Sequence, residues 1–190
     1  AAMDGQPLPY TPSLGLPELR QAIAQFYAQK HGVEVSPDRV VVTAGASAAL
    51  LLTLAATTDP GDEVIMADPS YPCNRELVTT FGGHVVLAPT SVESCFQLDA
   101  AALDSVWTER TSSVMIASPS NPTGTSIPQG ERAAICQLAK ERGGWRIVDE
   151  IYLDLSDDQA DGSPARTVLA EDPDAIVISS FSKYLQSFMF

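Results

Sequence analysis

Residues 113–124 read SVMIASPSNPTG. Val114 to Ala117 is a short unbroken apolar run, and a polar turn rich in proline and glycine follows it at once. An unbroken run, rather than an alternating one, fits a strand buried on both faces, as in a parallel sheet covered by helices. The same unit recurs along the chain. Strands are predicted over 40–42, 63–67, 84–88, 113–117, 145–149 and 175–179. Between them, helical patterns are predicted over 46–58, 71–81, 99–109 and 129–142, with a short helix at 166–170. Before them, Leu16, Leu19, Ile23, Phe26 and Tyr27 recur at helical spacing, so a helix is predicted over 16–31, stopped by Gly32. Strands alternating with helices imply an α/β fold: three layers, doubly wound, around a mostly parallel sheet. Residues 1–15 read as an extended N-terminal segment and residues 16–190 as one domain. The acidic stretch 154–164 reads as a solvated loop.

The 190 residues carry a formal charge of −13 and a sequence pI near 4.3. That balance argues against nucleic acid or an anionic membrane surface as partner. No apolar run approaches the ~18 residues that span a bilayer, and no basic segment leads into an apolar one as in a secretory signal. Cys73, Cys95 and Cys136 are scattered and odd in number. This excludes a disulfide framework or zinc cluster and fits a reducing, cytoplasmic setting. No metal site is expected.

In a doubly wound sheet, ligands sit at the carboxyl ends of the strands. Polar clusters fall there five times: 43–47, 68–71, 118–124, 149–152 and 179–183. In the first, a strand gives way through Gly45 to a helix opening with Ala46 and Ser47. Free backbone N–H groups there can hold a phosphate, or the motif is a plain capped turn. Asn121 offers an amide at the mouth of the sheet, in a turn where Asn121–Pro122 and then Asp68–Pro69 are the leading candidates for cis bonds. Asp149 ends a buried strand, where a carboxylate needs a partner or shifts its pKa. A cationic ligand nitrogen would supply one, and so would a structural cap. Tyr152 adds a phenol nearby. Of only three lysines, Lys30 and Lys140 lie on amphipathic helices, while Lys183 follows an apolar strand amid hydroxyls. An amine so placed can act as a nucleophile toward carbonyls.

The residues in order resemble a known family. Tyr10 to Arg20 (Y-x4-G-x3-L-R), Thr43 to Leu50 (T-x-G-x3-A-L), Pro60 to Val64 (PGDEV), Asp68 to Tyr71 (DP-x-Y), Ser120 to Gly124 (SNPTG), Asp149 to Tyr152 (DE-x-Y) and Ser180 to Lys183 (S-x-S-K) are similar to the class I/II aminotransferases. These are fold-type I enzymes that use pyridoxal 5′-phosphate (PLP). The resemblance covers the chain up to Tyr184.

The resemblance implies a role for each cluster. Lys183 would carry the Schiff base to PLP and shuttle the proton. Asp149 would keep the pyridine nitrogen protonated, making the ring an electron sink. Tyr152 and Asn121 would bond the ring's phenolic oxygen, and Tyr71 would stack on its face. Ala46, Ser47 and Ser180 would cradle the phosphate, and Tyr10 would reach the phosphate of a neighbouring subunit, so a homodimer is implied. Substrates would be an amino acid and a 2-oxo acid. A PLP lyase or decarboxylase on the same fold, or the aminotransferase-like effector domain of a transcriptional regulator, are the alternatives.

From about Leu185 the sequence departs from the family pattern, with neither the Gly nor the Arg expected after the lysine. The resemblance therefore marks the chain as an internal piece of the large domain. It would lack the C-terminal domain and a closing strand, and the 190 residues alone are expected to be inactive and poorly stable.

Overall fold

The computed structural model describes residues 10–156 and 165–184. The expectations for residues 1–9, for 157–164 of the acidic loop, and for 185–190 lie outside the described residues. The chain divides into two compact units, one ending at Thr43 and one beginning at Ala44.

In the first unit, helix α1 (Pro17–Phe26) starts with proline in its first turn and runs into a π-helical turn, Tyr27–His31. Gly32 closes it in the left-handed region at φ 68°, as its glycine implies. A short 3-10 turn follows at Pro37–Arg39. The strand predicted over 40–42 does not form. Its backbone bonds singly instead: the Val42 N–H donates to the Leu14 carbonyl at 3.0 Å, and the Val40 carbonyl accepts from Arg20 Nε at 2.9 Å. β-branched residues favour extended backbone, but a strand needs a neighbour, and those two bonds are not a ladder.

The second unit holds helix α2 (Gly45–Thr57), strand β1 (Glu63–Asp68), helix α3 (Pro72–Thr80), strand β2 (His84–Pro89), helix α4 (Ala100–Val106), strand β3 (Thr111–Ala117), helix α5 (Gln129–Glu141), strand β4 (Trp145–Asp149), strand β5 (Ile176–Ile178) and the short helix α6 (Phe181–Tyr184). The five strands form one sheet in the order β2-β1-β3-β4-β5, and every pairing is parallel. The helix predicted over 99–109 is trimmed to α4. Asp99 caps it by accepting from the Ala102 N–H at 2.7 Å, and extended backbone at Trp107 ends it. Over 166–170 only a 3-10 turn forms, Val168–Ala170, capped by Thr167.

Side chains alternate faces along each strand, and the two resulting cores separate cleanly. Ile65, Val114, Ile116 and Val148 face α4 and α5, meeting Leu103, Ile135 and Ala139. Val64, Met66, Met115, Ile147 and Ile178 face α2 and α3, meeting Leu50, Leu54 and Val78. Strands β1, β3 and β4 are thus the buried middle of three layers, which is why they read as unbroken apolar runs, while the edge strand β2 is largely open. The order places a topological switch between β1 and β3. From there the chain winds outward in both directions, and the carboxyl ends of these strands flank a crevice.

Candidate active site

The strand register aligns the polar clusters. Ala117 of β3 pairs with Asp149 of β4, and Asp149 pairs with Ile178 of β5, so the three strands end level. Each chain then leaves the sheet through one of the predicted clusters. Parity fixes direction: Asp149 lies two residues beyond Ile147 and so faces the α2–α3 side.

Asp149 is 8% exposed. Its Oδ1 accepts from the Ile151 N–H at 3.1 Å, and among the described residues no cationic side chain forms an ion pair with it. Burial pushes its carboxyl above the usual carboxylate range, and the Ile151 N–H opposes the shift. A buried anion with no counter-charge is suited to receive a cationic group from a ligand.

Tyr152 follows in the turn out of β4. Lys183, half-buried on α6, holds its Nζ 5.7 Å from the centre of the Tyr152 ring. The α6 backbone is set by Ser180, whose Oγ accepts from the Ser182 N–H at 3.2 Å. Lys183 thus stands with an aromatic ring and hydroxyls near it, and no described carboxylate pairs with it. Lys140, by contrast, pairs with Asp174 across the surface at 3.4 Å.

Tyr71 and Asn121 line one cleft over the carboxyl ends of β1 and β3, the topological switch, together with Ala117, Ser120, Asn74 and Gln97. Tyr71 is the N-cap residue of α3. The neighbouring Cys73 side chain is the largest influence pushing the Tyr71 phenol above its ordinary value, and the nearby Tyr152 adds a smaller push the same way. Asn121 lies in a tight turn, where the Ser120 N–H donates to the Thr125 carbonyl at 2.9 Å and the Gly124 N–H to the Ser120 carbonyl at 2.8 Å. Gly124 has φ 71°, the left-handed backbone that its residue type permits. Asp68–Pro69 and Asn121–Pro122 are both cis, as anticipated, and Ser118–Pro119 is cis as well.

Helix α2 opens at Gly45 (φ 81°) and carries no acidic residue in its first turn. Ala46 packs against the apolar cluster on the α2–α3 face, and Ser47 is exposed. Tyr10 belongs to the first unit and is fully exposed. The described residues contain no group of three or more His, Cys, Asp or Glu able to hold a metal ion. None of the described helices is long and apolar enough to cross a membrane.

Two cleft residues escaped the sequence reading. Asn74, 5% exposed, leaves its Oδ1 with no partner. Gln97 Nε2 donates to the Thr125 carbonyl at 2.6 Å and so braces the Asn121 turn. Asn74 follows Tyr71 by three residues, one helical turn, and that spacing was the available signal. Gln97 had none, because its contact spans 28 residues.

Comparison with known proteins agrees with the fold. Residues 1–187 match the family model described as aminotransferase class I and II. Over 185 residues the chain is 40% identical to a valine–pyruvate aminotransferase of Mycobacterium tuberculosis, covering 97% of this chain and 47% of that protein. Over 143 residues it is 41% identical to a probable aspartate/prephenate aminotransferase of Aquifex aeolicus, covering 75% and 36%. The crystal structure of an aminotransferase from Mycobacterium tuberculosis superposes with a TM-score of 0.90 at 38% identity, over 97% of this chain and 47% of that one. The chain spans about half the length of the curated relatives it matches or less. It belongs to the class I and II aminotransferase family.

Proposed function

We propose that the protein carrying this chain is a PLP-dependent aminotransferase that moves an amino group from an amino acid to a 2-oxo acid. The observation that supports this most directly is Asp149: a buried carboxylate facing the α2–α3 side with no described cation against it, at the end of the strand next to that of Lys183. When bound, PLP supplies an electron sink for negative charge at the substrate α-carbon. Asp149 would hold the proton on the pyridine nitrogen. Lys183 would supply the amine that joins the cofactor aldehyde and, once released, would carry the proton at the α-carbon. Tyr152 and Asn121 would donate to the phenolic oxygen, and Tyr71 would cover one ring face. Ala46, Ser47 and Ser180 would receive the phosphate, aided by the N-terminal turn of α2, which carries no acidic residue. The residues present fit the group: an anion for the ring nitrogen, an amine for the aldehyde and a helix N-terminus without acidic residues for a dianion.

Residues 16–190 would form the PLP-binding large domain. A homodimer is part of the same reading, with the exposed Tyr10 reaching the phosphate held by a second copy. A cytoplasmic location fits three cysteines that are all unpaired. The substrates in this reading are a 2-amino acid and a 2-oxo acid, in keeping with the names of the relatives, valine–pyruvate and aspartate/prephenate aminotransferase.

The test is amino transfer by the full-length protein that carries this chain, following ¹⁵N from labelled donor amino acids to 2-oxo acids. Transfer that is lost in Lys183→Ala supports the reading. Release of ammonia or carbon dioxide without transfer would assign a lyase or decarboxylase instead, and undiminished transfer in Lys183→Ala would overturn the site.

A further inference from the structure

Asp149 and Tyr152 belong to one turn, and of the two residues between them, Glu150 and Ile151, Glu150 is the more deeply buried. Glu150 is 2% exposed. Strand parity turns it away from Asp149, toward the α4–α5 side that Val148 also faces. There its two carboxylate oxygens are each occupied. Oε1 accepts from the Val168 N–H at 2.6 Å and Oε2 from the Thr167 hydroxyl at 2.8 Å. Thr167 is wholly buried. The Glu150 backbone is tied as well: its N–H donates to the Ile178 carbonyl at 2.8 Å, and its carbonyl accepts from the Leu153 N–H at 2.9 Å.

The charged groups facing Glu150 are Arg132 of α5, which attracts it, and Glu171, which repels it. Those two bind each other in a buried pair, with Arg132 Nε 2.9 Å from Glu171 Oε2. Glu171 in turn donates its N–H to the Val168 carbonyl at 2.8 Å. The turn out of β4 is therefore braced on both faces, by Asp149 Oδ1 on the Ile151 N–H in front and by Glu150 on residues 167–168 behind. Burying a carboxylate this far is costly unless its bonds are needed, and surface composition gives no reason for it.

We propose that Glu150 is a positioning residue: through Thr167 and Val168 it fixes the Asp149–Leu153 turn and so the direction in which Asp149 and Tyr152 meet the cofactor. This rests on the PLP reading above. Glu150→Ala would leave the Val168 N–H and the Thr167 hydroxyl without acceptors and free the turn. Glu150→Gln keeps the shape, with Oε1 accepting from Val168 and Nε2 donating to Thr167 Oγ1.

The experiment compares Glu150→Ala, Glu150→Gln and Thr167→Val in the full-length protein that carries this chain by two readouts. The first is amide hydrogen exchange at Ile151 and Leu153 without cofactor. The second is the pH midpoint of the visible absorbance band after loading with PLP. In Glu150→Ala, exchange at both amides is expected to rise about tenfold or more. The band midpoint is expected to move by about half a pH unit, because Tyr152 shifts against Lys183. Glu150→Gln restores both, and Thr167→Val, which removes the hydroxyl bond and keeps the Val168 N–H bond to Glu150, moves both by a smaller amount in the same direction. Unchanged exchange in Glu150→Ala and Thr167→Val, an unmoved band midpoint, or Glu150→Gln behaving as the alanine variant would each overturn the proposal. Absence of any band in the wild-type protein would instead bring down the PLP reading, and the proposal with it.

Discussion

Replacing Asp149 by Asn separates its chemistry from its place in the fold. The amide keeps the shape of the carboxylate, and its Oδ1 keeps the bond from the Ile151 N–H, 3.1 Å in the native chain. What is removed is the negative charge offered to the cofactor's ring nitrogen. A hydrogen bond to a charged partner contributes about 1.5–3 kcal/mol, so turnover should fall roughly ten- to 150-fold. Stability without cofactor should move the other way. Burial raises the Asp149 pKa above its ordinary value, so ionisation opposes folding. The sign follows from linkage: the stability associated with this group is complete below its unfolded pKa and is lost as pH rises through the folded value. Asp149→Asn is exempt from that loss, so it should be more stable than the native chain near pH 8. Below the ordinary carboxyl range the two should converge. Urea denaturation of cofactor-free protein at pH 8 and pH 4, paired with single-turnover amino transfer, measures both arms. A variant less stable at pH 8, or one with native turnover, would refute the assignment of an uncompensated charge awaiting a cation.

Burial also pushes the Glu150 carboxyl up, to about 7. Native stability should therefore decline as pH rises from about 4.5 to about 7, and Glu150→Gln should recover on the order of 2–4 kcal/mol at pH 8, read by urea titration. At Gly83, an added Cβ would lie 2.7 Å from Thr58 Cγ2 and 2.9 Å from Val78 Cγ1. Gly83→Ala should therefore destabilise by about 1–3 kcal/mol in thermal unfolding.

The layers were legible because burial on both faces writes itself into composition. Ile65–Met66, Val114–Ile116 and Ile147–Val148 read as apolar runs, and the structure places alternate members of each on two separate helix layers. Residues 40–42 carry the same signature and do not form a strand, since β propensity describes a residue and pairing needs a partner. The carboxyl-end clusters were legible for a related reason: a polar turn directly after a buried strand stands out, and the register then aligns Ala117, Asp149 and Ile178. Glu150 and Gln97 were not, because their partners lie 17 and 28 residues away and only the folded chain brings them together.

The most direct test concerns Lys183 itself. The full-length protein that carries this chain is incubated with PLP, reduced with borohydride and digested, and the peptides are weighed. A mass increase of one reduced PLP confined to the peptide containing Lys183, and lost in Lys183→Arg, is the expected result. Modification of Lys30 or Lys140 in its place, or none at all, would contradict the assignment of Lys183 as the amine that holds the cofactor.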